Sequence, residues 1–190
     1  MKEILFVTGN AGKFKLVNNS IKELDSSIIL TQIDIDVPEI QSLDTQEVAI
    51  LKAKEAFKIL KKPLLIDDGG IFLEQYNNFP GALSKYIFQG IGLEGIWKLA
   101  KDNPKANFTA FLVYIDNIDS YKVFTGTITG RLVEPRGPVQ DLSLPYREIF
   151  IPDGSDKLLS EIKDTEEGKK YRHRFKATQE FINWFNNKDC

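Results

Sequence analysis

Residues 4–13 read Ile-Leu-Phe-Val-Thr-Gly-Asn-Ala-Gly-Lys, an apolar strand that runs directly into a turn and a lysine. Gly9 lets the backbone turn sharply and approach a ligand closely. The first amides of the helix that follows have free N–H groups, which can donate to the oxygens of an anion. Lys13 adds a positive charge. It is not a Walker A loop, because Phe14 follows Lys13 where a Ser or Thr would hold magnesium. The pattern favours phosphate binding, with a purely structural turn as the alternative.

The composition limits the classes of partner. The chain has 190 residues, of which 42% are hydrophobic, enough for one core or for two lobes that share a sheet. We therefore expect a single domain over residues 1–190. A net charge of −2 and a pI near 5.6 argue against nucleic-acid binding. No apolar run approaches the roughly 20 residues of a membrane span, so we expect no membrane partner and a cytoplasmic location.

The sequence also restricts the metal chemistry. Cys190 is the only cysteine and His173 the only histidine, so one chain cannot build a disulfide framework or a Cys/His zinc site. A catalytic metal must then rest on carboxylates. Oxygen ligands favour Mg²⁺, with Mn²⁺ as the alternative ion.

Hydrophobic periodicity predicts a mixed α/β sheet, because strands and helices alternate early in the chain and long strands pair late. Gly126 and Gly130 interrupt one of these late strands, as bulges or as points of close backbone approach. The predicted strands are Glu3–Val7, Ile28–Ile35, Pro63–Ile66, Phe108–Ile115 and Tyr121–Val133. Four helices are predicted. The first follows Gly9, the second follows an N-cap at Asp44 or Thr45, the third covers Gly92–Ala100, and the fourth is the C-terminal helix that contains Phe181.

Two acidic positions are candidate ligands. Asp67 and Asp68 follow the short strand Pro63–Ile66 and precede two glycines, which predicts carboxylates at the carboxyl end of a strand, where α/β folds place ligands. A solvated acidic turn is the alternative. Glu39 is a lone charge in an apolar setting, and by itself it reads more readily as a solvent-facing residue than as a ligand.

Taken together, these segments resemble the ITPase/HAM1 family of nucleoside-triphosphate pyrophosphatases. The resemblance is collinear over almost the whole chain. The matching segments are Thr8-Gly9-Asn10-Ala11-Gly12-Lys13, Pro38-Glu39-Ile40-Gln41, Asp67-Asp68-Gly69-Gly70, Phe79 to Tyr86, Phe124 to Gly130, Ile149-Phe150-Ile151-Pro152 and His173-Arg174.

The resemblance implies an elongated mixed sheet with helices on both sides, a nucleotide cleft between two lobes, and a homodimer. It implies hydrolysis of a nucleoside triphosphate to a monophosphate and pyrophosphate, usually with the deaminated purine nucleotides ITP, dITP or XTP. By this resemblance, Asp68 and Lys13 are catalytic, and Glu39, Asp68 and Asp67 hold the metal. The expected substrate-binding residues are Thr8, Gly9, Asn10, Lys13, Gly69, Tyr146, Arg147, Lys169, His173 and Arg174.

Several positions depart from the family pattern. They are Leu16 and Arg147, where the family has acidic residues; Gly69, where it has serine; Leu144, where it has a stacking aromatic; and Gly168, where it has a lysine. The phosphate anchor and the main carboxylates are retained, whereas the base pocket is altered. We expect a changed base preference, with keto-bearing nucleotides such as GTP or UTP closer to ITP than is usual, and with ATP and CTP poorer. A nucleotide-binding protein of the same fold with impaired catalysis is the alternative function.

Overall fold

The computed structural model describes residues 2–188, so Cys190 lies outside the described residues. One sheet of six strands organises this part of the chain, in the order β2-β1-β3-β4-β5-β6. The strands are β1 (Lys2–Val7), β2 (Ile28–Ile33), β3 (Leu64–Leu73), β4 (Lys105–Asn117), β5 (Ser120–Leu132) and β6 (Phe150–Pro152). The helices are α1 (Ala11–Leu24), α2 (Thr45–Leu60), α3 (Ser84–Ala100), α4 (Leu159–Ile162) and α5 (His173–Asn186).

The sheet is mixed, as the sequence predicts. Strand β1 pairs in parallel with β2 and β3, whereas β3, β4, β5 and β6 pair antiparallel in turn. Three 3₁₀ turns complete the described elements, at Gly81–Leu83, Pro145–Glu148 and Gly168–Tyr171.

Helices cover both faces of the sheet at one end. Val17 of α1 and Phe181 of α5 pack with Phe6 of β1 on one face. Ala49 and Ala53 of α2 pack on the other face. Asp44 is the N-cap of α2 and accepts hydrogen bonds from the amides of residues 46 and 47, so the predicted start of this helix is confirmed.

A second core lies at the other end of the long strands. Ile71 of β3 and Ile128 of β5 pack there with Ile96 of α3 and Phe150 of β6. The carboxyl half of β3 therefore belongs to this second lobe, whereas its first half belongs to the lobe built on α1, α2 and α5. Asp67 and Asp68 lie on β3 between the two cores.

Gly126 is a point of close approach, one of the two predicted alternatives for this residue. A Cβ atom there would lie 1.9 Å from the carbonyl oxygen of His173, which is closer than real atoms come. The first turn of α5 can therefore rest directly on the backbone of β5. This contact sets the position of the first turn of α5, and with it the positions of His173 and Arg174.

The predicted end of β3 at Ile66 is wrong. Residues 67–70 continue the strand and pair in register with residues 109–112 of β4. The paired glycines are typical of a turn, but here glycine is required for packing. A Cβ atom on Gly70 would lie 2.1 Å from the carbonyl oxygen of Gly81. The turn at Gly81–Leu83 packs against this bare backbone.

Other boundaries also differ from prediction. Helix α3 begins at Ser84, and Gly92, predicted as its first residue, is a kink inside it with φ 63°. Strand β2 ends at Ile33 instead of Ile35, and β6 was not predicted. Among residues 2–188, none of the helices has the length and apolar character needed to span a bilayer.

Candidate functional site

The turn between β1 and α1 is held by its own polar side chains. The side chain of Asn10 caps α1 by accepting a hydrogen bond from the amide of Lys13 at 2.9 Å. The amide of Asn10 donates to Oγ1 of Thr8 at 3.1 Å, and Gly9 is exposed. Within residues 2–188 the amides of Ala11 and Gly12, in the first turn of α1, have no hydrogen-bond acceptor, an arrangement that suits an anion.

Lys13 lies against the paired carboxylates of β3. Its Nζ donates to the backbone oxygen of Asp67 at 3.1 Å, and it lies 3.6 Å from Oδ2 of Asp67 and 3.5 Å from Oδ1 of Asp68. Both aspartates are buried, so they are not the solvated turn considered as an alternative. The structure thus brings the predicted phosphate-binding lysine and the predicted carboxylates together.

Asp67 is the more enclosed of the two aspartates. Its side chain is 1% exposed, and its Oδ2 accepts a hydrogen bond from Nε of Arg174 at 3.0 Å. The side chain of Asp68 is 12% exposed, and its Oδ1 accepts from the amide of Gly69 at 2.8 Å. Of the two, Asp68 is the one that solvent and a metal can reach. Gly69 itself is half-buried in β3.

His173 is held as a neutral imidazole. Its ring is stacked on Phe108, and its Nε2 lies 2.8 Å from Nη1 of Arg174. Because a guanidinium can only donate, Nε2 must accept, and the ring proton belongs on Nδ1. Burial and the neighbouring cations Arg174 and Arg147 lower the pKa of His173 well below its usual 6.5.

Lys52 on α2 was not predicted as a site residue. Its ammonium forms an ion pair with Glu39. Burial disfavours its charge, but the carboxylates of Asp68 and Glu39 outweigh burial and raise the pKa of Lys52 above its usual 10.5. Glu39 and Asp68 thus lie within the electrostatic reach of one cation. The sequence could have indicated Lys52 by its helical spacing. It lies three residues after Ala49 and four before Ala56, both buried, and so it borders the buried face of α2.

Few carboxylates lie near Lys13 and Lys52 to bind a metal ion. Within residues 2–188 no three His, Cys, Asp or Glu side chains cluster closely enough to hold a metal alone. Magnesium is commonly bound by one or two carboxylates, with waters and substrate phosphates supplying the other ligands. The carboxylates of Glu39 and Asp68 fit that partial set.

A cavity of about 170 Å³ opens beside this cluster. Its wall includes Leu16 of α1, Arg147 of the Pro145–Glu148 turn, and both His173 and Arg174 of α5. Pockets for whole small molecules usually measure about 300–1,000 Å³, so this cavity is too small for a whole nucleotide. Arg174 joins it to the carboxylates, because the same side chain lines the cavity and pairs with Asp67.

Two residues predicted to bind the substrate, Tyr146 and Lys169, do not line this cavity. The ring of Tyr146 is buried, and its hydroxyl donates to the backbone oxygen of Ser84 at 2.6 Å, so it links two elements of the second lobe. Lys169 is exposed, pairs with Glu166 at 2.7 Å and does not line the cavity. Gly168 does line it, but a Cβ atom there would lie 1.9 Å from the carbonyl oxygen of Ile162. This backbone therefore cannot accept a lysine at position 168.

Comparison with known proteins settles the family. A profile of the Ham1 family matches residues 4–184. The chain belongs to the Ham1 family. This Ham1 chain is 37% identical over 188 residues to the dITP/XTP pyrophosphatase of Methanopyrus kandleri, a match that covers 97% of each sequence. It is 31% identical to the inosine triphosphate pyrophosphatase of Saccharomyces cerevisiae, over 94% of this chain and 93% of that protein.

Solved Ham1 structures confirm the fold. The Staphylococcus aureus Ham1 protein superposes with a TM-score of 0.76 at 24% identity, over 98% of this chain and 100% of that one. The Coxiella burnetii HAM1 protein gives a TM-score of 0.75 at 23% identity. The α/β architecture expected from the sequence resemblance is therefore confirmed.

Proposed function

We propose that this chain is a nucleoside-triphosphate pyrophosphohydrolase that acts on deaminated purine nucleotides of the ITP, dITP and XTP class. One observation carries the proposal: Lys13 at the start of α1 contacts Asp67 and Asp68, and Arg174 connects Asp67 to the neighbouring cavity. The dITP/XTP and inosine triphosphate pyrophosphatases named above support it, because they resemble this chain over nearly their whole length.

The phosphates bind at the turn made by Thr8, Gly9 and Asn10. The first amides of α1 and the ammonium of Lys13 supply donors and positive charge for the triphosphate. As charge develops on the leaving pyrophosphate, Lys13 stabilises it. The bound phosphates would draw Lys13 away from Asp68 and free that carboxylate for chemistry.

Asp68 activates the attacking water. The water oxygen forms a bond to the α-phosphorus while the bond from that phosphorus to the bridging oxygen breaks. The water proton passes to the carboxylate of Asp68, and pyrophosphate leaves with the bonding electrons. The products are a nucleoside monophosphate and pyrophosphate. Asp67, paired with Arg174, holds the strand and the cation in position.

A divalent metal completes the site. Glu39 and Asp68 would hold Mg²⁺, with Mn²⁺ as a substitute and Asp67 as the more enclosed third carboxylate. When bound, the metal supplies a Lewis acid for the phosphate oxygens. Lys52 would then compete with the metal for Glu39, because the two cations repel each other.

The base lies in the cavity beside His173 and Arg174. Arg147 contributes donors to this cavity and no acceptor, so a base edge that faces Arg147 is favoured if it carries keto oxygens instead of amino groups. We therefore expect GTP and UTP to approach ITP more closely than in a site built for a single base, with ATP and CTP poorer. Tyr146 anchors the turn that carries Arg147 through its hydrogen bond to Ser84, and Lys169 lies at the surface.

The test is a panel of common and deaminated triphosphates, assayed for monophosphate and pyrophosphate with and without magnesium. Equal amounts of both products, with ITP, dITP or XTP turned over faster than ATP, support the proposal. Release of orthophosphate instead would place the cleavage at another bond. Binding of nucleotides without any turnover would favour the alternative function, a nucleotide-binding protein with impaired catalysis.

We also propose a homodimer in the cytoplasm. Ile87 and Phe88 pack against the second core, and Pro80 and Gly81 are buried, so these four residues leave little apolar surface for pairing. Tyr86 and Ile91 of α3 remain exposed and support a pairing surface on that helix. Light scattering at micromolar concentration tests the dimer, and a monomeric mass would contradict it. Cell fractionation tests the location.

A further inference from the structure

The cavity beside Arg174 contains a cation without a fixed partner. Arg147 lines this cavity from the Pro145–Glu148 turn and is half-buried. In the part of the chain that the structure describes, 2–188, its guanidinium has neither a hydrogen bond nor an ion pair. The carboxylates of Asp141 and Asp164 act on it only at longer range, and Asp141 already accepts hydrogen bonds from Ser143.

The other cations on this wall are Lys163, Arg172 and Arg174, and the carboxylates of Glu23 and Asp164 also line it. Arg172 pairs with Glu23. Arg174 donates to Asp67 and to His173, so part of its hydrogen-bonding capacity is used inside the protein. Burial and the charge of Arg174 lower the pKa of Arg147 to about 10, which leaves the guanidinium charged at neutral pH. A half-buried cation with free donors gains most from a ligand that brings an acceptor or a negative charge.

The purine bases differ in what they can offer such a group. Adenine has an amino group where hypoxanthine has its C6 keto oxygen, so it would turn a donor toward donors. Guanine keeps the C6 keto oxygen and carries an amino group at C2. Hypoxanthine has one keto oxygen and a bare C2 carbon. Xanthine has keto oxygens at both C2 and C6, and its ring loses a proton in neutral solution. It therefore offers one more acceptor than hypoxanthine, together with negative charge.

We propose that Arg147 is a specificity-determining residue that makes this cavity select xanthine over hypoxanthine. The inference rests on the proposed function, because it assumes that the cavity holds the base. It goes further by ranking XTP above ITP and by assigning the ranking to one side chain. A site that hydrogen-bonds a group on its ligand rejects an analogue that lacks it, because the buried donor is left unpaired.

Binding of monophosphates tests the inference without requiring catalysis. The probes are xanthosine and inosine monophosphate, with dissociation constants measured by calorimetry for the parent, Arg147→Gln, Arg147→Lys and the control Arg136→Gln. Arg136 is exposed and lies on the same connection between β5 and β6. The parent should bind the xanthosine nucleotide at least about tenfold more tightly, or about 1.4 kcal/mol.

The variants should differ in the ratio of the dissociation constants for inosine and xanthosine monophosphate. Arg147→Gln should reduce the ratio of the two dissociation constants to below about threefold, Arg147→Lys should give an intermediate ratio, and Arg136→Gln should keep the parent's ratio. A parent ratio below tenfold, failure of both nucleotides to bind, or an unchanged ratio in Arg147→Gln overturns the inference. A protein that shows the predicted ratios but hydrolyses no triphosphate would contradict the proposed function and leave the inference standing.

Discussion

Arg174 donates from Nε to Oδ2 of Asp67 at 3.0 Å and thereby ties the first turn of α5 to the middle of β3. Their side chains are 9% and 1% exposed, so the pair is shielded from water. A buried ion pair positions its members strongly, because loss of one partner leaves the other charge without compensation. The pair therefore holds the carboxylate of Asp67 in a fixed position relative to the cavity that Arg174 lines.

Removing Arg174 should destabilise the fold. In Arg174→Met the carboxylate of Asp67 loses its hydrogen-bonded cation and keeps Lys13 at 3.6 Å, so we expect a loss of about 3 kcal/mol in the free energy of unfolding, measured in urea. The control is Arg172→Met, because Arg172 pairs with Glu23 at the surface, where such pairs contribute less than about 1 kcal/mol. Equal losses in the two variants would show that the buried pair has no special role.

Lys13 should be needed for the phosphates. Lys13→Ala removes a full charge from the helix start, and nucleotide affinity or turnover should fall at least about tenfold, or about 1.4 kcal/mol. Lys15→Ala is the matched control, since Lys15 is exposed on the same helix. An unchanged binding isotherm for Lys13→Ala would exclude the triphosphate from this turn.

Lys52 should affect metal binding and turnover in opposite directions. Lys52→Met removes the cation that pairs with Glu39, so the nucleotide-free protein should bind Mg²⁺ more tightly in calorimetry. Turnover should fall, because the charge beside Asp68 is lost. Lys54→Met serves as the control, because Lys54 lies over the ring of Tyr121. If both the metal affinity and the rate matched those of the parent, Lys52 would lie outside the working site.

His173 should make stability fall in acid. Its pKa in the folded protein is far below 6.5, so below about pH 6.5 the unfolded chain binds a proton that the folded protein does not. Acidification then favours unfolding, by up to about 1.4 kcal/mol per pH unit from this group. Stability is therefore retained above pH 6.5 and lost as the pH falls toward the folded-state pKa.

The measurement compares urea unfolding at pH 7.5 and 5.5 for the parent and for His173→Gln. The variant should be less stable at pH 7.5 but should lose less stability on acidification. Because His173 is the only histidine, the difference between the two slopes isolates its contribution. Identical slopes would mean that the imidazole is protonated equally in both states.

The sequence predicted the first half of the site well, because its residues are close together in the chain. Asn10 and Lys13 follow one strand, and their roles depend on local turn and helix geometry. The continuation of β3 was missed because paired glycines are typical of turns, whereas Gly70 is required by the packing of Gly81, eleven residues later. Local pattern carries no information about that contact.

The cavity could not have been outlined from the sequence. Its wall combines residues of α1, the Pro145–Glu148 turn and α5, which are distant along the chain. Family resemblance identified Arg147 and His173 there, but it also suggested Tyr146, whose hydroxyl is used inside the second lobe. Lys52 was missed because it falls between buried alanines of an ordinary amphipathic helix.

The central claim is that Asp68 activates water for cleavage at the α-phosphorus. Its direct test is pyrophosphate release from ITP with magnesium, by the parent, Asp68→Asn and the control Asp36→Asn, an exposed aspartate. The parent and the control should release pyrophosphate and inosine monophosphate in equal amounts, whereas Asp68→Asn should release none and keep the parent's circular dichroism spectrum. Release by Asp68→Asn at the parent's rate would contradict the claim.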